Sequence, residues 1–240
     1  MRLGEAKTPA GMRLYAIGDV HGRNDLLGEV HQKIAADLLR RPPDDYRIVH
    51  CGDYVDRGPD SAGVIGRLVA LTETEPRIVC LRGNHEDLLL AFLIDPARYA
   101  SVWLENGGAE TLASYGVGIM AGRREREYLA LGERFAEALP EAHAAFLGTL
   151  ALSTTFGDFF FCHAGVRPGV PLDKQDPADL TWIRDDFLWD GRDHGVVVVH
   201  GHTPVTEPEV RRNRINIDTG AVFTGRLTCL VLEGTEHRFL

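Results

Sequence analysis

The chain has 240 residues, 44% of them hydrophobic and 25% charged, enough to bury a proper core in a soluble fold. Its formal net charge of -9 argues against an extended nucleic-acid surface, which needs an excess of Lys and Arg to displace counterions. No window approaches the roughly eighteen apolar residues that span a bilayer, and the polar first residues carry no apolar secretion segment. A cytoplasmic protein with neither nucleic acid nor membrane as a partner is expected.

Residues 12–17 form a short run rich in β-formers, ended by Gly18-Asp19, and are expected to be a strand. Residues 23–40 place Leu26, Leu27, Val30, Ile34, Leu38 and Leu39 at helical spacing before Pro42-Pro43 stops them. The alternation repeats, with strands at 46–51 and 77–81 and helices at 61–72 and 86–94. Three strand–loop–helix units favour parallel pairing through right-handed crossovers, with binding residues at the carboxyl ends of the strands.

From 96 to about 152 the composition turns to Ala, Glu, Arg and Leu, with a helix over 125–139. This reads as a helical insertion that covers the sheet or rims the site. Gly107, Gly108, Gly116, Gly118 and Gly122 should make it loop-rich. Strands are expected again at 156–162, 196–199, 214–217 and 227–232. Few helices separate them, so a second, more antiparallel sheet is expected. The fold class is α/β, α+β by some schemes: two packed mixed sheets flanked by helices, in one domain over 1–240. Cys51, Cys80, Cys162 and Cys229 lie in or at the end of apolar runs without CxxC spacing, as buried free thiols.

The chemistry collects at the strand ends. Asp19 and His21 sit at i and i+2 of an extended exit, so both can face one cation. Asp53 leaves the second strand and, as a carboxylate, can bridge two metals. Asn84 adds an amide oxygen from the third, and His163 and His202 add imidazoles from the second sheet. Two Asp, one Asn and three His without thiolate suit two Mn, Fe or Zn ions better than a structural zinc cage. Any one of them alone would read as a helix cap or a core histidine; together they point to a two-metal phosphoesterase. His200 is expected to be a strand-end neighbour of His202, and Asp218 a hydrogen-bonding support.

The segments Gly18-Asp19-Val20-His21-Gly22, Gly52-Asp53-Tyr54-Val55-Asp56-Arg57-Gly58, Gly83-Asn84-His85-Glu86, the isolated His163 and Gly201-His202-Thr203 resemble the motifs of the phosphoprotein phosphatase family of calcineurin-like metallophosphoesterases. The likeness spans most of the chain and is greatest to the compact bacterial and phage-lambda-type serine/threonine protein phosphatases, as the Trp182-Ile183-Arg184 stretch also suggests. The resemblance implies that Asp19, His21 and Asp53 hold one metal, most readily Mn²⁺, and Asp53, Asn84, His163 and His202 the other. It implies phosphate contacts from Arg57, Arg82 and Arg184, and a general acid, His85, paired with Asp56. The SAPNY-type motif of the eukaryotic members is not found in this sequence, so their regulatory subunits and inhibitors are not expected as partners.

The implied activity is hydrolysis of phosphoserine or phosphothreonine, with phosphotyrosine as a further substrate class, in a protein or peptide by a hydroxide held between the metals. A symmetrical dinucleoside tetraphosphate hydrolase is the alternative, for which Tyr99, Trp103 and Tyr115 are candidate base-stacking residues. A catalytically silent metal-binding module is a third reading, disfavoured by the intact ligand and acid candidates.

Overall fold

The computed structural model describes residues 1–119 and 124–240. Its first strand, β1 (Met12–Ile17), is buried on both faces: Leu14 and Ala16 point into one apolar cluster, Tyr15 and Ile17 into another. A continuous apolar run rather than a strict alternation is the sequence trace of such a strand. α1 (Asn24–Arg40), β2 (Asp45–His50), α2 (Ser61–Thr74), β3 (Ile78–Cys80) and α3 (Asn84–Ile94) complete three strand–helix units. β1 pairs with β2, and β2 with β3, in parallel, as expected.

The segment after α3 is helical: α4 (Pro96–Trp103), α5 (Ala109–Ser114), α6 (Glu125–Ala138) and α7 (Glu141–Thr149). A π-helical turn, Leu104–Gly108, joins α4 to α5, with Gly107 at φ 99°. Gly116 and Gly118 lie in the non-helical stretch after α5; Gly122 lies outside the described residues. Trp103, Leu112, Leu131, Phe135 and Leu147 pack into the same cluster as Leu89 and Phe92 of α3. These helices are thus part of the core over the first sheet.

The single strand expected over 156–162 is a hairpin, β4 (Ser153–Phe156) and β5 (Phe159–Cys162), turning at Gly157 with φ 59°. α8 (Pro177–Trp182), α9 (Asp185–Leu188), β6 (Val197–His200), β7 (Glu209–Val210), β8 (Arg214–Asn216), α10 (Ala221–Thr224), β9 (Cys229–Glu233) and β10 (Glu236–Phe239) follow. Among the described residues the strands form two five-stranded sheets, ordered β10-β9-β1-β2-β3 and β4-β5-β6-β8-β7.

Two expectations are corrected here. The second sheet is not mainly antiparallel, because β5–β6 and β6–β8 are both parallel. The excursion through α8 and α9 is long enough to carry the chain back for a parallel return. The last long apolar run does not join that sheet either: β9 pairs antiparallel with β1 on its open edge. Leu14, Ala16, Val49, Leu230 and Leu232 of the first sheet face Phe159, Phe161, Val197, Val199 and Ile215 of the second across one dry layer. This sandwich brings the exits of β1, β2, β3, β5 and β6 together.

Candidate metal centre

Among the described residues five non-glycines have positive φ: His21 (44°), Asp53 (53°), Asp56 (71°), Arg57 (66°) and His202 (68°). All five are site candidates from the motifs. Such backbones persist only where their surroundings over-determine them. Glu86 supplies much of that constraint. Its buried carboxylate accepts the backbone N–H groups of Gly83 (2.8 Å), Asp53 (2.9 Å), Tyr54 (2.8 Å) and Val55 (3.3 Å). Burial and the nearby Asp53 push its pKa up, to about 8, while the N–H donors favour the ionised form. Gly58 permits a close crossing of two motif loops, since a Cβ there would stand 1.9 Å from the carbonyl oxygen of His21.

The ligand candidates meet around Asp53. On one side, Nε2 of His21 lies 3.5 Å and Nε2 of His85 3.9 Å from Asp53 Oδ2. On the other, Nε2 of His163 lies 3.4 Å from Asp53 Oδ1, 2.9 Å from Asn84 Oδ1 and 3.2 Å from His202 Nδ1. His202 Nδ1 is in turn 2.8 Å from Asn84 Oδ1. Two buried groups of metal-binding atoms result, His21–Asp53–His85 and Asp53–His163–His202, sharing Asp53.

Asp19 stands outside both groups. Its carboxylate accepts the N–H of His202 at 3.0 Å and lies beside Asp218. His85 joins His21 and Asp53 in the first group.

These residues fit divalent cations. His21 Nδ1 donates to Val55 O (2.8 Å) and His163 Nδ1 to Cys51 O (2.8 Å), leaving each Nε2 with a lone pair aimed at the cluster. Burial drives the pKa of His21 down to about 3 and that of His202 to about 2, so both rings are neutral near pH 7. Burial also pushes the Asp19 carboxyl well above its usual range, with Asp218 and Asp53 as like charges alongside. Nε2 of His85 and Nε2 of His202 are buried with no hydrogen-bond partner. Crowded acceptors and clustered carboxylates are what a bound cation satisfies.

His85 Nδ1 donates to Asp56 Oδ2 at 2.7 Å. Burial alone would lower the His85 pKa, but the carboxylates of Asp53 and Asp56 outweigh it and raise the value. Arg57 extends over the first group, its Nη1 2.9 Å from His21 Nε2. Arg82 is half-buried, with its Nη1 3.6 Å from Asp87 and its Nε unpartnered. Arg184 is exposed and reaches Thr203 Oγ1 at 3.4 Å. The acidic residues beside it serve Arg167 instead, which pairs with Asp179 and Asp186. His200 is buried beneath the site against Phe187 and Arg214, away from the metal-binding atoms.

The helical segment, expected to cover the sheet or rim the site, also reaches into it. Trp103 Nε1 donates to Asp56 (3.1 Å), Thr111 Oγ1 donates to Asp56 Oδ1 (2.7 Å), and Gly107 O accepts the N–H of Arg57 (3.1 Å). Gly107 leaves no room for a Cβ, which would sit 2.6 Å from Arg57 N. Only the Gly107-Gly108 pair signalled such a close approach. The proposed stacking platform is corrected as well. Trp103 is buried against Phe92, Tyr115 is tied to His143 Nδ1 (2.9 Å), and Tyr99 packs on the core. The aromatic beside the metal-binding atoms is Trp182, 40% exposed, with its ring edge-on to His202 at 6.2 Å.

The sequence is 30% identical over 239 residues to the asymmetrical bis(5'-nucleosyl)-tetraphosphatase PrpE of Halalkalibacterium halodurans, covering 91% of this chain and 89% of that one. In fold it resembles a putative diadenosine tetraphosphatase, with a TM-score of 0.66 at 20% identity over 98% of this chain and 97% of the other. It also resembles a cold-active protein-tyrosine phosphatase of Shewanella sp., with a TM-score of 0.60 at 14% identity over 99% and 84%. Residues 12–225 match the calcineurin-like phosphoesterase family, a span that runs from β1 through every strand exit bearing a metal-binding candidate. The chain belongs to that family.

Proposed function

We propose that the protein hydrolyses dinucleoside tetraphosphates asymmetrically, releasing a nucleoside triphosphate and a nucleoside monophosphate. The observation that carries this reading is the near full-length likeness, at 30% identity, to a protein named for that reaction. The phosphoprotein substrate expected from the motifs has no comparable support, and cleavage at the centre of the tetraphosphate yields to cleavage at one end.

Asp19, His21, Asp53, Asn84, His163 and His202 would hold two divalent ions, most readily Mn²⁺, with Asp218 adding negative charge beside Asp19. When bound, such a pair supplies an activated water and neutralises charge on the phosphoryl oxygens. The remaining work falls to the chain. Arg57, with Arg184 at the opening, offers guanidinium forks to phosphoryl oxygens. Asp56 holds His85 through Nδ1, so that the buried Nε2 carries the proton offered to the leaving oxygen. Trp103 and Thr111 fix Asp56, and Glu86 fixes the loop that presents Asp53.

A phosphate leaving group departs far more readily than an alkoxide, so the demand on His85 is smaller for an anhydride than for a phosphoserine ester. Separating the nucleotide products of diadenosine tetraphosphate, beside a phosphopeptide control, tests the reading.

A further inference from the structure

A cavity of about 470 Å³ opens beside the metal centre, along β7, β8 and the turn after α9. Thr203, the residue after His202, stands in its wall at the near end, where Arg184 donates to its hydroxyl at 3.4 Å. Arg212 and Asn213 line it just before β8 begins.

Its lining is unusual for a chain of net charge -9. Trp189 presents an indole that is 84% exposed. Arg211 and Arg214 share one carboxylate, Glu209, at 2.5 and 2.6 Å. Asp190, the other acidic residue in the lining, is taken by Arg192 at 2.8 Å. Arg212 reaches only the carbonyl of Gly191, at 3.4 Å, and meets no carboxylate among the described residues. The cavity therefore joins an exposed aromatic face to surplus guanidinium charge. That pairing suits a nucleobase carrying phosphates.

We propose that this cavity holds the far nucleoside of a dinucleoside polyphosphate, with its base on Trp189 and its phosphates along Arg212 and, nearer the metals, Arg184. The inference rests on the dinucleotide reading and adds to it. Thr203 and Arg184 put the near end of the cavity next to His202, so the polyphosphate would run from the base on Trp189 toward the metal-binding residues, with the nucleoside triphosphate half in the cavity.

Trp189→Ala and Arg212→Ala, both surface changes, are compared with wild type in the Mn²⁺-loaded protein. The KM for diadenosine tetraphosphate is expected to rise about tenfold in Trp189→Ala, the scale of one lost stacking contact, while turnover of p-nitrophenyl phosphate stays unchanged. ATP titrated into wild type should quench tryptophan fluorescence. Trp189→Ala should lose that quenching, and Arg212→Ala should need several-fold more ATP. Unchanged KM and unchanged ATP binding in both variants would overturn the proposal. If wild type leaves diadenosine tetraphosphate uncut, the functional reading falls, and the ATP titration alone decides whether the cavity binds a nucleotide.

Discussion

His85 Nδ1 and Asp56 Oδ2 are 2.7 Å apart in a fully buried pair, and the Asp56 carboxylate also accepts from Trp103 and Thr111, which lie 47 and 55 residues further along the chain. The helical segment after α3 is thereby coupled to the proton donor of the site. His85→Asn removes the proton but not the packing. Its kcat is expected to fall about a hundredfold or more on phenyl phosphate, whose leaving group needs protonation, and much less on p-nitrophenyl phosphate. Equal losses on the two esters would remove His85 from the acid role.

Trp103→Phe keeps the stack on Phe92 and deletes the indole donor to Asp56. One hydrogen bond to a charged group is worth about 1.5–3 kcal/mol, and Thr111 remains to share the load. Denaturant unfolding should show a loss near the lower end of that range. Steady-state assays should show the same selective loss on phenyl phosphate as His85→Asn, only smaller. A variant whose two esters suffer alike would make Trp103 a core residue and nothing more.

Asp53 is the residue common to both groups of metal-binding atoms. Asp53→Asn halves neither group's size but removes the shared charge. Elemental analysis after gel filtration should find clearly less than the wild-type metal content, with activity restored only in part by excess Mn²⁺. Wild-type metal content and full activity would contradict the bridging position.

Stability rests on a second buried cluster, remote from the site. Asp37 accepts from Tyr15 (2.8 Å), Arg238 (2.6 Å) and Arg13 (3.1 Å), tying α1 to β1 and β10. Burial would raise its pKa, but the hydrogen bonds from Tyr15 and Arg238 and the nearby guanidinium charges outweigh it and lower the value. A carboxylate lowered on folding stabilises above its unfolded pKa, and that stability is lost as pH falls through the folded value. Asp37→Asn should cost about 1.5–3 kcal/mol near pH 7, because it removes a charged acceptor from Tyr15 and Arg238 while Arg13 keeps Glu233. The difference from wild type should shrink below about pH 4. A pH-independent difference would mean that charge is not what Asp37 contributes.

The parallel β1–β3 unit was legible because each strand is a contiguous apolar run ending in a polar motif that leads into a helix. The residues around Asp53 were legible for the same reason, since strand exits on one sheet edge converge whatever the details of the loops. Asp19 has a second tie that its spacing to His21 did not reveal, because its carboxylate also accepts the N–H of His202. Glu86 was hidden because its role lies in four backbone contacts that no side-chain pattern records. β9 was assigned to the wrong sheet because an apolar strand carries no mark of its partner, and only the open edge of β1 selects it. Tyr99, Trp103 and Tyr115 looked like a base platform because sequence does not tell a buried aromatic from an exposed one.

The most direct measurement incubates the Mn²⁺-loaded protein with diadenosine tetraphosphate and, in parallel, with a phosphoserine peptide, and resolves the nucleotides by anion-exchange chromatography. Equal amounts of ATP and AMP, with kcat/KM well above that for the peptide, are the expected result. ADP as the sole nucleotide product, or a clear preference for the peptide, would contradict it.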